Sequence, residues 1–168
     1  MTSTPKLAKR IVRDARRRGL TIAIAESLTG GKVASALIGV PRASTVVRLG
    51  VVAYATEMKR RVLNVDGELL DKQGSVHPKV AKQMARGVRK LAAIGRDSAT
   101  IGVGTTGVAG PDVQDGHEVG TVFISVAFKG EATITRDYRF EGNRRSIRDA
   151  ATHAALELID EALSEYKD

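Results

Sequence analysis

The sequence predicts an α/β fold: a three-layer α/β/α sandwich with a mixed, mostly parallel sheet and a C-terminal hairpin plus helix. Short β-branched runs alternate with helix-forming segments along the first part of the chain, which favours parallel strands joined by helices. Two alternating runs joined by Lys129-Gly130 then predict a β-hairpin. The 168 residues carry no Pro- or Ser-rich break, so we expect one domain over residues 1–168.

The first half of the chain alternates helix and strand. Leu7, Ile11 and Val12 recur at helical spacing, and the β-branched run that follows is too short to be a helix. A second run of helix formers then stops before Gly39. The elements expected here are a helix at 6–18, a strand at 21–26, a helix at 31–38, a strand at 49–54 and a helix at 56–63.

The second half ends in the hairpin and a long helix. Pro78 suits the first turn of a helix, and Asn143 is a favoured N-cap. A short apolar run before Gly104 predicts a third, buried strand. The elements expected here are a helical turn at 68–72, a helix at 78–91, a strand at 99–104, hairpin strands at 119–128 and 132–140, and a last helix at 143–164.

The net charge of +8 is concentrated in the first helix. Seven basic residues against the single acid Asp14 give residues 6–18 a charge of +6, which leaves +2 for the remainder. These side chains form either the solvated face of an amphipathic helix or an electrostatic footprint for nucleic acid or an acidic partner. The nearly neutral remainder and the few aromatic residues count against nucleic acid.

The composition excludes several classes of protein and site. No apolar run approaches the roughly 20 residues that cross a bilayer, and no signal peptide is recognised, which predicts a cytoplasmic protein without a membrane contact. Without cysteine there is no thiol nucleophile or thiolate zinc site, so covalent chemistry falls to Ser, Thr, Lys or Tyr. His77, His117 and His153 lack metal-ligand spacing, and we expect no metal site.

Ser27 stands at the turn from the first strand to the second helix. A hydroxyl there can be exposed above the sheet edge, while the amides of Gly30 and Gly31 are expected to face an anion or a developing oxyanion. The segment lacks the glycine and hydroxyl residue of a P-loop and both glycines of the G-x-S-x-G elbow. Ser27 is therefore a candidate nucleophile, the alternative being an ordinary helix cap.

Tyr54 and Lys59 follow the second strand, whose end is expected to lie beside that of the first. A lysine partly buried there loses its proton more readily, because burial disfavours the ammonium, and it can then act as a base on Ser27. Taken singly, Lys59 fits a surface charge better, and Tyr54 an amphipathic core residue. It is their convergence with Ser27 that argues for a site.

Two later segments add candidate ligand contacts. The small and hydroxyl residues around Thr106 and Gly107 either let a ribose or phosphate approach the backbone closely or form an ordinary turn. Arg144, Arg145 and Arg148 open the last helix, where the helix dipole disfavours cations. A bound phosphate would remove that conflict; otherwise the side chains extend into water.

Five ordered motifs span most of the chain. They are A-E-S-L-T-G-G at 25–31, G-V-V-A-Y at 50–54 with Lys59, T-G-V-A-G-P at 106–111, G-T-V-F at 120–123 and F-E-G-N-R-R-S-I-R at 140–148. Together they resemble the CinA C-terminal family, the nicotinamide mononucleotide deamidases. The resemblance implies a hydrolase, an amidohydrolase that converts nicotinamide mononucleotide (NMN) into nicotinate mononucleotide and ammonia in the salvage of pyridine nucleotides for NAD metabolism. It also implies no metal or organic cofactor, and self-association into a homo-oligomer.

The resemblance also implies roles for individual residues. Ser27 matches the nucleophile, and Tyr54 and Lys59 match a proton-handling pair. The sequence does not decide which of the two is the base; we favour Lys59, with Tyr54 orienting the amide or Ser27. The residues matched to substrate binding are Thr29, Gly30, Gly31, Thr106, Gly107, Arg144 and Arg148.

Two departures from the family pattern limit these expectations. The loop at 112–118 lacks the glycine-rich stretch expected after A-G-P, which leaves the exact substrate open. Long family members carry an additional N-terminal domain, whose activity is not assigned to this chain. The competing interpretation is a non-catalytic nucleotide- or nucleic-acid-binding module linked to competence or DNA metabolism.

Overall fold

The computed structural model describes residues 2–130 and 132–167. The helices are α1 (Thr4–Arg17), α2 (Lys32–Ile38), α3 (Thr56–Leu63), α4 (Gly67–Gln73), α5 (Pro78–Leu91) and α6 (Arg144–Glu165), with a 3₁₀ turn at Ala43–Thr45. The strands are β1 (Ile22–Glu26), β2 (Val47–Val52), β3 (Ile101–Gly107), β4 (Thr121–Phe128) and β5 (Ile134–Arg139). The expected order of elements is confirmed. No helix in the described part of the chain is both long enough and apolar enough to span a membrane.

The five strands form one mixed sheet in the order β2-β1-β3-β4-β5. β1 pairs in parallel with β2 and β3, whereas β3 with β4 and β4 with β5 are antiparallel. The expected hairpin is therefore present, but the sheet is half parallel rather than mostly parallel. The reason is that β4 returns from β3 through a loop, with no crossover helix to bring the chain back to the same edge.

Helices cover both faces of the sheet, which confirms the three-layer sandwich. Ile22 and Ile24 of β1 pack into the core under α1, α2 and α6, while Ala23 and Ala25 contribute to the core under α3, α4 and α5. This alternation follows from the two-residue period of a strand. The fully buried strands β1 and β4 thus carry apolar side chains on both faces.

The backbone of α5 lies directly against the middle of the sheet because β3 presents glycine to it. A Cβ at Gly102 would lie 1.9 Å from the carbonyl oxygen of Ala85, and one at Gly104 would lie 2.4 Å from that of Ala81. No side chain larger than hydrogen fits at these two positions without moving the helix. The close contact sets the position of α5 across β3 and β4.

α1 is amphipathic, as its apolar spacing predicts. Its buried face packs mainly on α6, and its basic residues are exposed or half-buried. Arg10 binds both carboxylate oxygens of Asp160 on α6, with the Nε to Oδ1 distance at 2.7 Å. Arg18 donates to the carbonyl oxygens of Leu163 and Tyr166 at 2.6 Å each. Part of the basic charge of this helix therefore holds the C-terminal helix in place.

The strand boundaries differ most from expectation at β2 and β3. β2 begins and ends two residues earlier than predicted, because its register with β1 ends at the pair Glu26 and Val52. β3 continues to Gly107 rather than stopping at Gly104, since Thr105 to Gly107 pair with β4. Thr106 and Gly107 thus belong to a strand end, which single-sequence patterns of small residues do not distinguish from a loop.

Candidate active site

The carboxyl ends of the parallel strands β1, β2 and β3 meet at one edge of the sheet, as parallel pairing requires. The sequence-predicted residues collect there around a cleft of about 300 Å³. The predicted residues that line the cleft are Ser27, Tyr54, Thr106, Gly107 and Arg144. The rest of its wall is formed by Leu28, Ser75, Val76 and the loop from Val108 to Gln114.

Ser27, in the lining of the cleft, is in direct contact with Lys59, which is not part of that lining. The ammonium nitrogen Nζ of Lys59 lies 3.0 Å from Ser27 Oγ. The contact forms because the chain after β2 runs beside the end of β1, where the amide of Ala53 donates to the carbonyl oxygen of Glu26 at 2.9 Å. α3 starts immediately afterwards and turns Lys59 inwards, so that only 1% of this residue is exposed.

Burial lowers the pKa of Lys59 from its usual value of 10.5 to about 8. The cause is desolvation, which disfavours the charged ammonium, and the negative charge of Asp115 partly opposes it by favouring that charge. No carboxylate among the described residues forms an ion pair with Lys59. A buried amine with a pKa near neutral pH is typical of a functional site.

The surroundings of Lys59 determine what its neutral form can do. Besides Ser27 Oγ, Nζ contacts the carbonyl oxygens of Ala53 at 2.9 Å and Tyr54 at 3.1 Å. Both carbonyl oxygens can only accept, so they take the two N–H bonds of a neutral amine. The charged ammonium donates to Ser27 Oγ, whereas in the neutral amine the lone pair is left for this third neighbour and the Ser27 hydroxyl can donate to it. This is the arrangement of a base and its nucleophile.

Tyr54 occupies a different position from the one its pairing with Lys59 suggested. Its side chain is exposed at the mouth of the cleft, where the hydroxyl accepts from Arg144 Nη2 at 2.8 Å. Arg144 also donates through Nη1 to the carbonyl oxygen of Gly110 at 2.6 Å. Tyr54 contacts Lys59 through its backbone carbonyl and Arg144 through its side chain. Its hydroxyl is therefore engaged with a cation at the rim.

The expected role of the Gly30 and Gly31 amides is wrong. The amide of Gly30 donates to the carbonyl oxygen of Ser27 at 3.1 Å, and that of Gly31 donates to the carboxylate of Glu26 at 3.0 Å. Glu26 also accepts from the amides of Val33 and Ala34. The anion at the start of α2 is thus the chain's own buried carboxylate, and neither glycine lines the cleft.

Thr29 and Arg148 also lie outside the cleft lining. Thr29 is fully buried, and its hydroxyl is hydrogen-bonded to that of Thr105 at 2.8 Å. Arg148 turns from α6 towards the turn that carries Ser27 and donates to the carbonyl oxygen of Leu28 at 2.8 Å. The structure thus separates the two arginines that the sequence offered for phosphate: Arg144 faces the cleft, and Arg148 holds the protein backbone.

Ser75 and Asp115 link the loop over the cleft to the segment before α5. Asp115 Oδ2 accepts from the amides of Ser75 at 2.7 Å and Val76 at 3.0 Å. The side chain of Gln114 donates to the Ser75 hydroxyl, and Thr106 Oγ1 donates to the Ser75 carbonyl oxygen at 2.7 Å. The hydroxyl of Thr106 is therefore used inside the protein, although the residue lines the cleft.

Sequence reasoning missed Glu26, Ser75 and Asp115 as parts of the site. Glu26 carries a readable signal: it is an acid at the end of a buried apolar strand directly before a helix. A buried carboxylate requires hydrogen-bond donors, and the backbone amides at the start of the following helix are the nearest ones. Ser75 and Asp115 carry no comparable signal, because their contact joins segments 40 residues apart.

The sequence and the fold of this chain are shared by known proteins. The sequence matches the family model of the CinA C-terminal domain over residues 4–163. The chain belongs to the CinA C-terminal domain family. A CinA-like protein of Frankia casuarinae is 45% identical over 148 residues, which are 88% of this chain and 33% of that protein.

Solved CinA superfamily structures share the fold along the whole chain. The competence damage-inducible protein A of Klebsiella pneumoniae is 31% identical, with a TM-score of 0.92, and covers 99% of this chain and 100% of its own. The competence/damage inducible protein CihA of Agrobacterium tumefaciens is 33% identical, with a TM-score of 0.88, covering 98% of this chain and 100% of its own. The chain spans only about a third of the length of the curated relatives it matches.

Proposed function

We propose that the cleft hydrolyses a carboxamide, and that its substrate is the pyridine mononucleotide NMN, which becomes nicotinate mononucleotide and ammonia. The observation that carries the proposal is the contact of 3.0 Å between Ser27 Oγ and a buried Lys59 whose pKa is lowered to about 8. The pair provides a nucleophile and its base without a histidine or a metal ion. Of the two candidate bases, this contact favours Lys59 over Tyr54.

In the first half of the reaction, neutral Lys59 takes the Ser27 proton as Oγ attacks the carboxamide carbon. The carbonyl electron pair moves onto oxygen, and the resulting oxyanion needs a donor. The amide of Leu28 is suited to this role: it directly follows the nucleophile and borders the cleft, and no described residue accepts its N–H.

In the second half, the Lys59 ammonium returns its proton to the departing nitrogen. The carbon–nitrogen bond breaks, ammonia leaves, and Ser27 carries the acyl group as an ester. Neutral Lys59 then takes a proton from water, whose oxygen attacks the ester and displaces Ser27, which recovers its proton from Lys59. One lysine thus serves as base and acid in turn, which requires a pKa close to the working pH.

The shape and charge of the cleft support a mononucleotide. A volume of about 300 Å³ is at the small end for ligand sites. Arg144 lies at the mouth, its described partners are neutral oxygens, and no described carboxylate pairs with it. Its guanidinium is therefore the available partner for a phosphate. Gly107 also lines the cleft, and its missing side chain faces Thr121 and Val122 of β4.

The test is incubation of the purified protein with NMN and measurement of ammonia and nicotinate mononucleotide. Ser27→Ala and Lys59→Ala are each expected to reduce turnover by about 10²-fold or more, since each removes a group that acts in the transition state. The exposed residues Ser44 and Lys72 supply the controls Ser44→Ala and Lys72→Ala, which should keep full activity. An inactive wild type, or active Ser27→Ala, would contradict the proposal.

A binding module without catalysis is the alternative outcome. Its basis is the exposed basic residues of α1, and it predicts binding to DNA or RNA that collapses between low and physiological salt. Turnover of a small substrate changes much less with salt. Self-association and a cytoplasmic location stay predictions, the first of which sedimentation of the purified protein can measure.

A further inference from the structure

The turn from Ser27 to Gly31 is held by two charged side chains of opposite sign. Glu26, of which 1% is exposed, accepts from the amides at the start of α2: Gly31 at 3.0 Å, Val33 at 3.2 Å and Ala34 at 2.8 Å. A carboxylate that accepts several backbone N–H groups binds them more strongly than a neutral side chain does. The N–H side of the turn is thereby fixed to the end of β1.

Arg148 holds the carbonyl side of the same turn. Its Nε donates to the carbonyl oxygen of Leu28 at 2.8 Å, and its Nη2 donates to that of Thr29 at 3.3 Å. The planar guanidinium matches two carbonyls at once, which a lysine ammonium does not do with the same geometry. The turn is thus attached to α6.

Gly30 makes this contact possible. Its φ of +59° lies in the left-handed region, and a Cβ there would lie 2.7 Å from Arg148 Nη2. The left-handed φ favours glycine at this position, and a Cβ there would displace the guanidinium from its contact. A neighbouring ion pair, Lys32 with Asp149 at 2.6 Å, adds a second link between α2 and α6.

We propose that Glu26 and Arg148 are positioning residues that together fix Ser27 Oγ against Lys59, and that neither binds the substrate. This inference rests on the proposed function for the identity of the nucleophile. The inference also goes beyond the proposed function, because it excludes Arg148 and the start of α2 as ligands of the substrate phosphate. Arg148, which the sequence offered as a phosphate ligand, instead holds the Leu28 peptide next to the nucleophile.

A physical reason makes this arrangement matter for reactivity. Ser27 lies in a turn and not in a helix or strand. Its backbone is bonded to the neighbouring strand β3 through the amide, which donates to the carbonyl oxygen of Thr105 at 3.1 Å. A nucleophile misplaced by about 1 Å loses on the order of 10²-fold in rate. Loosening either side of the turn is therefore expected to reduce the reactivity of Ser27 without changing what the cleft binds.

The test uses Glu26→Gln, Arg148→Lys and Arg148→Ala. The readout is the rate at which phenylmethanesulfonyl fluoride labels Ser27, followed by intact-protein and peptide mass spectrometry, which needs no NMN turnover. Each variant is expected to label about 10- to 100-fold more slowly than wild type. Added guanidinium ion should partly restore labelling of Arg148→Ala. The matched controls Glu57→Gln and Arg61→Ala, an exposed pair on α3, should label at the wild-type rate.

Two further measurements separate positioning from binding and from unfolding. With NMN, kcat should fall while KM stays within about twofold, because the phosphate contact is elsewhere. Hydrogen exchange at the amides of Gly31, Val33 and Ala34 should quicken in Glu26→Gln while the unfolding midpoint of the whole domain is retained, which reports local loosening.

The outcomes are distinct. Wild-type labelling rates in Glu26→Gln and Arg148→Ala, or a raised KM with unchanged labelling, overturn the positioning roles. The positioning roles are also overturned if labelling of the variants slows only in proportion to their global unfolding and added guanidinium ion does not restore it. If wild type labels at Ser27 but leaves NMN intact, the deamidase proposal fails while this inference is still decided by the labelling rates. An unreactive wild-type Ser27 overturns both.

Discussion

Replacing Lys59 with methionine should change how the free energy of unfolding depends on pH. In the folded protein the pKa of Lys59 is about 8, against 10.5 in an unfolded chain. Because the folded pKa is the lower one, the unfolded chain binds more protons between these two values, and raising the pH through this window favours the folded state. Below pH 8 the folded protein therefore carries the full cost of the buried ammonium.

The difference between the two pKa values corresponds to about 3 kcal/mol. This conversion applies because the side chain is almost completely buried. From pH 7 to pH 10.5, wild-type stability should therefore rise by about 3 kcal/mol more than that of Lys59→Met. Methionine has a similar length but no charge. It leaves the carbonyl oxygens of Ala53 and Tyr54 without a donor, which lowers stability equally at every pH.

Urea unfolding of both proteins at several pH values measures this difference directly. The other titratable groups are the same in wild type and Lys59→Met, so their contribution cancels when one curve of unfolding free energy against pH is subtracted from the other. Lys72→Met provides the control, since Lys72 is exposed and should leave the pH dependence unchanged. Parallel stability curves for wild type and Lys59→Met would refute the reasoning, because they would mean that Lys59 titrates alike in the folded and unfolded chains.

Three further results are expected. The kcat/KM of wild type for NMN should rise with pH around an inflection near 8, where Lys59 loses its proton; a flat profile would speak against Lys59 as the base. Asp115→Asn should move that inflection to lower pH, because the Asp115 charge favours the ammonium, and an unmoved inflection would deny this coupling. Gly102→Ala should lower the unfolding free energy by about 1–3 kcal/mol, since its Cβ would meet Ala85; wild-type stability in urea would show that α5 can shift.

The order of elements and the sheet edge that carries the candidate site were predictable from local patterns. Helices α3 and α5 have the predicted bounds, with Pro78 in the first turn of α5, and the hairpin follows from alternation around Lys129-Gly130. Ser27 and Lys59 were both named because one follows β1 and the other follows β2. Neighbouring parallel strands bring such positions to one edge whatever the details of packing.

The roles of individual polar groups were less predictable. Glycine-rich turns at helix starts often bind an external anion, but here Glu26 supplies the charge. Arg144 and Arg148 look alike in sequence, four residues apart on one helix, yet one lines the cleft and the other binds the Leu28 carbonyl oxygen. Which of the two arginines faces the cleft depends on how α6 lies against α2, and no local sequence pattern encodes that arrangement.

The sequence by itself determined the fold class, and it predicted the edge of the sheet where the candidate site lies and Ser27 with Lys59 as the candidate reactive pair. These depend on hydrophobic periodicity and residue type, which act over a few residues. Only the tertiary structure decided that Lys59 is buried against two carbonyls, that its pKa falls to about 8, and that Tyr54 turns to Arg144. Desolvation and hydrogen-bond geometry depend on which distant segments surround a group, and those neighbours exist only once the chain has folded.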